Sequence, residues 1–319
     1  MLISVAIPCY KSSKTVPKVV EDIRKEFHKH PDYDYEIILV NDGSPDQGAT
    51  WAAISEIARK DSRIIAINLA KNFGQAAAKM AALQHVSGDV LVYMDDDGQH
   101  DTAGIFSLVK EVENGADVAI AAFHGKKHSA FKQLASRMNS ELLRVTIQKP
   151  KDLQTSSFMA YSRFIVDILK PYNSPYVATF AFILQHTRQI VNVPMEHQKR
   201  MEGESGYTLK KMLKLWSDGI FSFSTVPLKL IFSAAAVSTV IGALLLLLTV
   251  VFALSGLSTQ TALIVGVVFF LGGIILCSQA LIGEYIGRMY MTQNQLPQYA
   301  IREVVHEEAV KHEVEYEYC

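Results

Sequence analysis

Tryptophan and cysteine are scarce, with two and three residues in a chain of 319. Cys9, Cys277 and Cys319 are odd in number and far apart, which excludes a disulfide framework and gives no zinc-ligand spacing. Charge is also sparse: Asp, Glu, Lys and Arg make up 20%, with a net charge of -1. A nucleic-acid binder would carry a basic excess, so that class is set aside. Neither GxxxxGK[ST] nor GxGxxG occurs, which removes the P-loop NTPases and the dinucleotide dehydrogenases. Met1–Val5 enters a strand pattern without a basic leader segment, so no secretory signal is expected.

Hydrophobic residues are plentiful, at 49% with a mean hydropathy of +0.15. That much apolar surface excludes whole-chain disorder. The run from Leu230 to Gly283 contains no Asp, Glu, Lys or Arg. A membrane span takes ~20 apolar residues, so the run has room for two spans and a turn but not three. The turn is placed at Ser255–Gln260, between spans at about 230–254 and 261–283. Lys199, Arg200, Lys210, Lys211, Lys214 and Lys229 precede the spans, Arg288 and Arg302 follow, and the turn has no basic residue. By the positive-inside rule both termini are cytoplasmic. Tyr207–Phe223 spaces Leu209, Met212, Leu213, Trp216, Ile220 and Phe223 at helical intervals, with lysines between them. Directly before a span, this predicts an amphipathic helix in the headgroup layer. From Glu284 onward there are seven Glu against two Arg and one Lys, which reads as a solvated, mobile end.

The first part of the chain alternates strand and helix patterns. Strands are expected at Leu2–Ile7, Glu36–Val40, Arg63–Ile67, Asp89–Met94 and Asp117–Ala121. Helices are expected at Thr15–Phe27, Ala49–Lys60, Gln75–Val86, Thr102–Asn114 and Ser129–Val145. The alternation predicts an α/β fold with a mostly parallel sheet and right-handed crossovers. Ligands of such sheets bind at the carboxyl ends of the strands, so the polar residues there become the candidates.

The fourth strand ends in Asp95-Asp96-Asp97-Gly98-Gln99-His100. Three adjacent carboxylates repel one another unless a cation relieves them. Mg²⁺ typically takes one or two carboxylates together with substrate phosphates. Asp95 and Asp97 face the same way on an extended segment. The second strand ends in Asn41-Asp42-Gly43-Ser44, where Asp42 serves either as a turn residue or as an acceptor for a base or ribose. Glu284 and Arg288, four apart, suit a structural pair.

Taken in order, several runs resemble the family 2 inverting glycosyltransferases of fold type A. They are Ser4–Tyr10, Val40–Ser44, Asn72-Phe73-Gly74-Gln75 and Gly88-Asp89 leading to Asp95–His100. Asp152, Arg200–Tyr207, Pro227-Leu228, the two spans and Gly283–Arg288 are similar to the polyprenyl-phosphate branch of that family. The resemblance divides the chain into a catalytic domain (1–206), the interfacial helix (207–228), the two spans (229–284) and a cytosolic acidic tail (285–319). It implies transfer of a sugar from a nucleotide sugar, a UDP-sugar foremost, to a polyprenyl phosphate such as undecaprenyl phosphate. The enzyme would be a multi-pass protein of the cytoplasmic (inner) membrane, working at its cytoplasmic face and using Mg²⁺ or Mn²⁺.

The resemblance also assigns residues. Pro8, Tyr10 and Asp42 would hold the base and ribose, and Asp95 and Asp97 the metal and diphosphate. Asp96 and Gln99 would lie beside them. Arg200 would face the donor diphosphate, with Ser205 and Tyr207 in the same segment. Lys126 and Ser136 would line the acceptor phosphate, and Asp152 would act there as base or orienter. Implied partners are a homo-oligomer, a flippase and a downstream glycosyltransferase. The sequence departs from the family pattern at Ser12, Gly98, Asp101 and Phe123 but keeps both carboxylates of the metal pair. Two alternatives stay open: a family member with another membrane or glycan acceptor, and an idle nucleotide-sugar-binding scaffold. A processive synthase is disfavoured, because Trp51 and Trp216 do not follow an Arg and QxxRW is absent.

Overall fold

The computed structural model describes residues 1–123, 149–196, 260–294 and 297–306, with six isolated helical positions between 231 and 251. The expected helix at Ser129–Val145, the interfacial helix, the turn at 255–259 and nearly all of the first span lie outside the described residues.

The strands are β1 (Leu2–Cys9), β2 (Asp34–Asn41), β3 (Ile64–Leu69), β4 (Val90–Tyr93), β5 (Val118–Phe123), β6 (Met159–Ser162), β7 (Ile190–Met195) and β8 (Ile301–Val305). The helices are α1 (Val16–His28), α2 (Ala49–Arg59), α3 (Gln75–Gln84), α4 (Gly104–Glu113), α5 (Arg163–Leu169), α6 (Thr179–His186) and α7 (Gln260–Gln293). The strands form one sheet in the order β7-β5-β6-β4-β1-β2-β3-β8. The central strands are continuous apolar runs because helices cover both faces. On β2, Ile37 and Leu39 join the core under α1, α2 and α4, while Ile38 and Val40 join the core under α3, α5 and α6. On α1 the buried Val16, Val19, Val20, Ile23 and Phe27 repeat at helical spacing.

Three features differ from the sequence expectation. β5 does not lie beside β4. The antiparallel β6 sits between them, and β5 pairs in parallel with β7, so the sheet is mixed. β6 has four residues, too few to show a period of two. Second, α7 runs ten residues past Gly283, and its Glu284 and Arg288 form the expected pair, with Arg288 Nε 2.8 Å from Glu284 Oε1. Third, the acidic end is not wholly a solvated tail. Ile301–Val305 is β8, antiparallel to β3, pairing Leu69 with Ile301 and Ala66 with Val305.

At 1.5 Å per residue α7 is ~51 Å long, well beyond the ~30 Å of a bilayer core. Its segment Phe270–Gln293 is apolar and long enough to cross a membrane. Val268, Phe270, Ile275 and Leu276 are exposed along it. The two-span hairpin itself is not established by this one helix.

Candidate active site

Two features of β1 open a crevice. The chain adds β2 and β3 on one side of β1 and then crosses to add β4 on the other, so the strand order reverses between β1 and β4. Ligands of open α/β sheets bind at such switch points. Pairing between these strands ends at Ala6 and Tyr93, with a last bond from the Met94 amide to the Ala6 carbonyl. Past that bond β1 continues alone beside β2. Pro8, buried and without an N–H, stands where a β4 partner has already been lost. Tyr10, at the crevice mouth, is 45% exposed and so available to stack on a flat ligand.

The three acids divide into different tasks. Asp96 turns back towards β1, and its Oδ2 accepts the Tyr10 amide at 2.9 Å. Burial pushes its carboxyl up to about 6; the Tyr10 amide opposes that rise and the charges of Asp95 and Asp97 add to it. Asp95 accepts from Gln75 Nε2 at Oδ1 (2.8 Å) and from Ser157 Oγ at Oδ2 (2.5 Å). Asp97 Oδ1 accepts the Gln99 amide at 3.0 Å, closing a turn in which Gly98 has a φ of +70°.

His100 fixes the start of this run. Its Nδ1 accepts the Asp95 amide at 3.1 Å, which leaves the proton of the neutral ring on Nε2, 3.7 Å from Asp95 Oδ2. The ring is buried and stacks on Phe158 at 4.7 Å. Phe158 also explains Gly104, where a Cβ would come within 2.8 Å of the Phe158 ring.

Asp42, predicted as a ligand for base or ribose, has its carboxylate on its own chain. It accepts the amides of Phe73 (2.8 Å) and Gly74 (3.0 and 3.2 Å), and Asn72 Nδ2 donates to the Asp42 carbonyl at 3.1 Å. The neighbouring Gly43 has a φ of +54°, and a Cβ there would overlap the backbone of Lys71 and Asn72. Asp42 and Gly43 thus clamp the loop before α3 against the end of β2.

Asp152 lies exposed in the turn before buried Leu153. That segment is stapled by Asn192 of β7, whose Oδ1 accepts the Gln154 amide at 2.7 Å and whose Nδ2 donates to the Gln154 carbonyl at 3.1 Å. It then reaches Asp95 through Ser157. The structure thus gathers Pro8, Tyr10, Asp42, Asp95, Asp96, Asp97 and Gln99 at one end of the sheet. Lys126, Ser136, Arg200, Ser205 and Tyr207 lie outside the described residues. Gln75, Ser157 and His100 as supports of Asp95 were not predicted. Only contact geometry could have found Ser157, which is 62 residues from Asp95.

Among the described residues no group of three or more His, Cys, Asp or Glu is placed to hold a metal ion. Two carboxylates, whose charges both bear on Asp96, are what a divalent ion shared with substrate phosphates needs from a protein, so the donor set fits Mg²⁺ or Mn²⁺.

The strand after α7 begins at this same end of the sheet. Because β8 starts opposite Leu69, the chain leaving α7 joins the sheet at the carboxyl end of β3. Ala70 donates to the Ala300 carbonyl at 2.8 Å, and Gln298 donates to the Tyr172 carbonyl at 2.8 Å. The Arg288 guanidinium lies 4.3 Å over the Tyr176 ring.

Residues 4–169 match the family model described as Glycosyl transferase family 2. The chain is 31% identical over 310 residues to the undecaprenyl-phosphate 4-deoxy-4-formamido-L-arabinose transferase of Enterobacter sp. (strain 638), covering 95% of this chain and 93% of that one. It is 33% identical over 305 residues to CsbB of Bacillus subtilis (strain 168), a provisionally assigned glycosyltransferase, covering 95% and 92%. Among solved structures, glucosyl-3-phosphoglycerate synthase from Mycobacterium tuberculosis, in complex with Mn²⁺, UDP-glucose and phosphoglyceric acid, gives a TM-score of 0.50 at 18% identity. That match covers 69% of this chain and 77% of that one. Mannosyl-3-phosphoglycerate synthase from Rubrobacter xylanophilus gives 0.50 at 16%, covering 68% and 71%. At these identities the structural likeness is one of fold: a mixed, Rossmann-like GT-A sheet with flanking helices.

Proposed function

The chain belongs to glycosyl transferase family 2, and on that premise we propose that it transfers a sugar from a nucleoside-diphosphate sugar to a polyprenyl phosphate at the cytoplasmic face of a membrane. A UDP-sugar is the donor this reading favours and undecaprenyl phosphate the acceptor. The observation that carries the acceptor half is the entry of the chain from α7 into the sheet at the carboxyl end of β3, the end that bears the acids. The 31% identity to a polyprenyl-phosphate transferase supports it, since that match spans 95% of the chain and takes in the apolar helix. A lipid phosphate at the headgroup level can meet a cytosolic site only if the site is held close to the bilayer.

In this reading, the anomeric carbon breaks its bond to the diphosphate oxygen and forms one to the acceptor phosphate oxygen. Direct displacement inverts its configuration. Tyr10 and the loop clamped by Asp42 frame the nucleotide. Asp95, pinned by Gln75 and Ser157, and Asp97 hold the divalent ion. When bound, that ion supplies positive charge for the diphosphate leaving group. Arg200 adds a second cation there, with Ser205 and Tyr207 in the same segment. The acceptor phosphate is already anionic and has little need of a base, so Asp152 orients it, with Lys126 and Ser136 as its contacts. The assignment of 1–206 as catalytic domain, 207–228 as interfacial helix, 229–284 as two spans and 285–319 as cytosolic tail belongs to the same proposal, with β8 returned from that tail to the catalytic sheet. So do a homo-oligomer and the flippase and downstream transferase that a lipid-linked sugar made on this face would serve.

The test is transfer from radiolabelled UDP-glucose, UDP-GlcNAc, UDP-galactose and GDP-mannose to undecaprenyl phosphate in detergent, with Mg²⁺ or Mn²⁺ and with EDTA. A chloroform-soluble labelled product from one donor, lost with EDTA, is expected. Transfer to a water-soluble acceptor with no lipid product would overturn the acceptor assignment.

A further inference from the structure

Lys79 stands on α3, directly beneath the acids. Its Nζ donates to the Ser157 carbonyl at 3.2 Å and lies 4.9 Å over the Tyr93 ring. The hydroxyl of that ring donates back to the Lys79 carbonyl at 2.9 Å. The same Ser157 gives its Oγ to Asp95 Oδ2. One serine therefore touches the ammonium with its carbonyl and the carboxylate with its hydroxyl. Burial lowers the Lys79 pKa, and the Asp95 charge opposes that fall. An ammonium enclosed by a protein is costly unless an anion compensates it. Among the described residues Asp95 is the anion whose charge acts on it, beside its contacts to the Ser157 carbonyl and the Tyr93 ring.

We propose that Lys79 is a fixed counter-charge for the Asp95–Asp97 pair. It is a positioning residue whose ammonium keeps the carboxylates compatible with an empty site and competes there with a divalent cation. The cation is then held firmly only when the phosphates of the nucleotide add their own charge. The proposal rests on the reading of Asp95 and Asp97 as metal ligands. It differs from a purely mechanical role in its sign. A lysine that merely braces Ser157 would, on removal, loosen Asp95 and weaken the cation. A counter-charge, on removal, strengthens it.

The experiment is Mn²⁺ binding to the purified full-length protein in detergent, followed by the electron paramagnetic resonance signal of free Mn²⁺, with and without UDP. Wild type is compared with Lys79→Met, Lys79→Gln and Lys79→Arg. Gln keeps much of the length and can still donate to the Ser157 carbonyl, so it preserves the local packing. Without UDP, the Met and Gln variants are expected to bind Mn²⁺ about tenfold more tightly than wild type, the scale of one nearby unit charge at intermediate dielectric. Arg is expected to restore the wild-type value. Saturating Mn²⁺ should also raise the melting temperature of Lys79→Gln by more than that of wild type. Unchanged or weaker Mn²⁺ binding in Lys79→Gln, with wild type binding Mn²⁺ in the presence of UDP, overturns the counter-charge and leaves the metal site standing. Failure of wild type to bind Mn²⁺ even with UDP overturns the metal site and the counter-charge together.

Discussion

Asp42 and Gly74 are joined through both oxygens of one carboxylate: the Gly74 amide lies 3.2 Å from Oδ1 and 3.0 Å from Oδ2. The end of β2 thereby fixes the loop that launches α3, the helix that carries Gln75 and Lys79 to the acids.

Replacing Asp42 with Ala leaves the Phe73 and Gly74 amides without their acceptor. An unsatisfied buried donor costs about 1–3 kcal/mol. The expected outcome is a lower midpoint in denaturant titration and UDP binding weakened by at least about tenfold in calorimetry. Wild-type UDP affinity in Asp42→Ala would show that the loop does not shape the nucleotide site.

Gly43→Ala should be worse than its size suggests. Its φ of +54° is unfavourable for a side chain, and the added Cβ runs into the backbone of Lys71 and Asn72. Backbone strain of this kind costs about 1–3 kcal/mol before the overlap is counted. A thermal melt should show the loss, and Gly74→Ala, which has a φ of +96° but open space at its Cβ, should show the backbone strain without the overlap.

Asp97→Asn tests the metal pair. The substitution keeps the acceptor for the Gln99 amide but removes a charge. Transfer to the lipid should fall by about 10²–10³-fold, the scale for losing one preorganised electrostatic contact to the transition state. The melting temperature should not fall, because like-charge repulsion with Asp95 and Asp96 is relieved. A variant that transfers sugar at the wild-type rate would remove Asp97 from the mechanism.

Much of the catalytic domain was legible in the sequence for one reason. Strands β1 to β4 are covered on both faces, so burial writes itself as unbroken apolar runs, and the intervening helices bury one periodic face. What was hidden lacked such a signature. β6 is too short to show a pattern. β8 has Arg302 and Glu303 exposed and gains its place from backbone pairing with β3, to which composition is blind. Lys79 sits in an alanine-rich stretch where a single lysine reads as a solvated surface residue, and only the fold turns its ammonium inward. Asp42 had two readings in the sequence, a turn residue or a ligand for base or ribose, and neither includes its bonds to the Phe73 and Gly74 amides, 31 and 32 residues on.

Asp61 makes stability depend on pH. Burial pushes its carboxyl up, but hydrogen bonds from the Arg63 side chain and amide and from Arg24 outweigh this and hold it below the usual value. A depressed carboxyl contributes stability above its unfolded pKa and loses it as pH falls through the folded one. The advantage of wild type over Asp61→Asn in urea should therefore be full at pH 7 and should shrink below about pH 4. An advantage that is the same at both pH values would mean that the Arg24–Asp61 contact, at 2.8 Å, acts by shape rather than by charge.

Truncation after Gln298 removes β8 and bares the β3 edge. An open edge strand invites pairing with another chain. The shortened protein should melt several degrees lower and elute partly as aggregates in size exclusion, even with α7 intact.

The placement of β8 also sets an order of events during synthesis. β3 emerges from the ribosome early, yet the strand that completes its edge lies behind the apolar helix. At ~5–20 residues per second, the gap between the two strands takes roughly 10–50 s to translate. For that interval the nascent sheet carries an open edge, and it closes only after α7 has been made. The sheet is thus completed by a strand that is made only after the apolar helix α7.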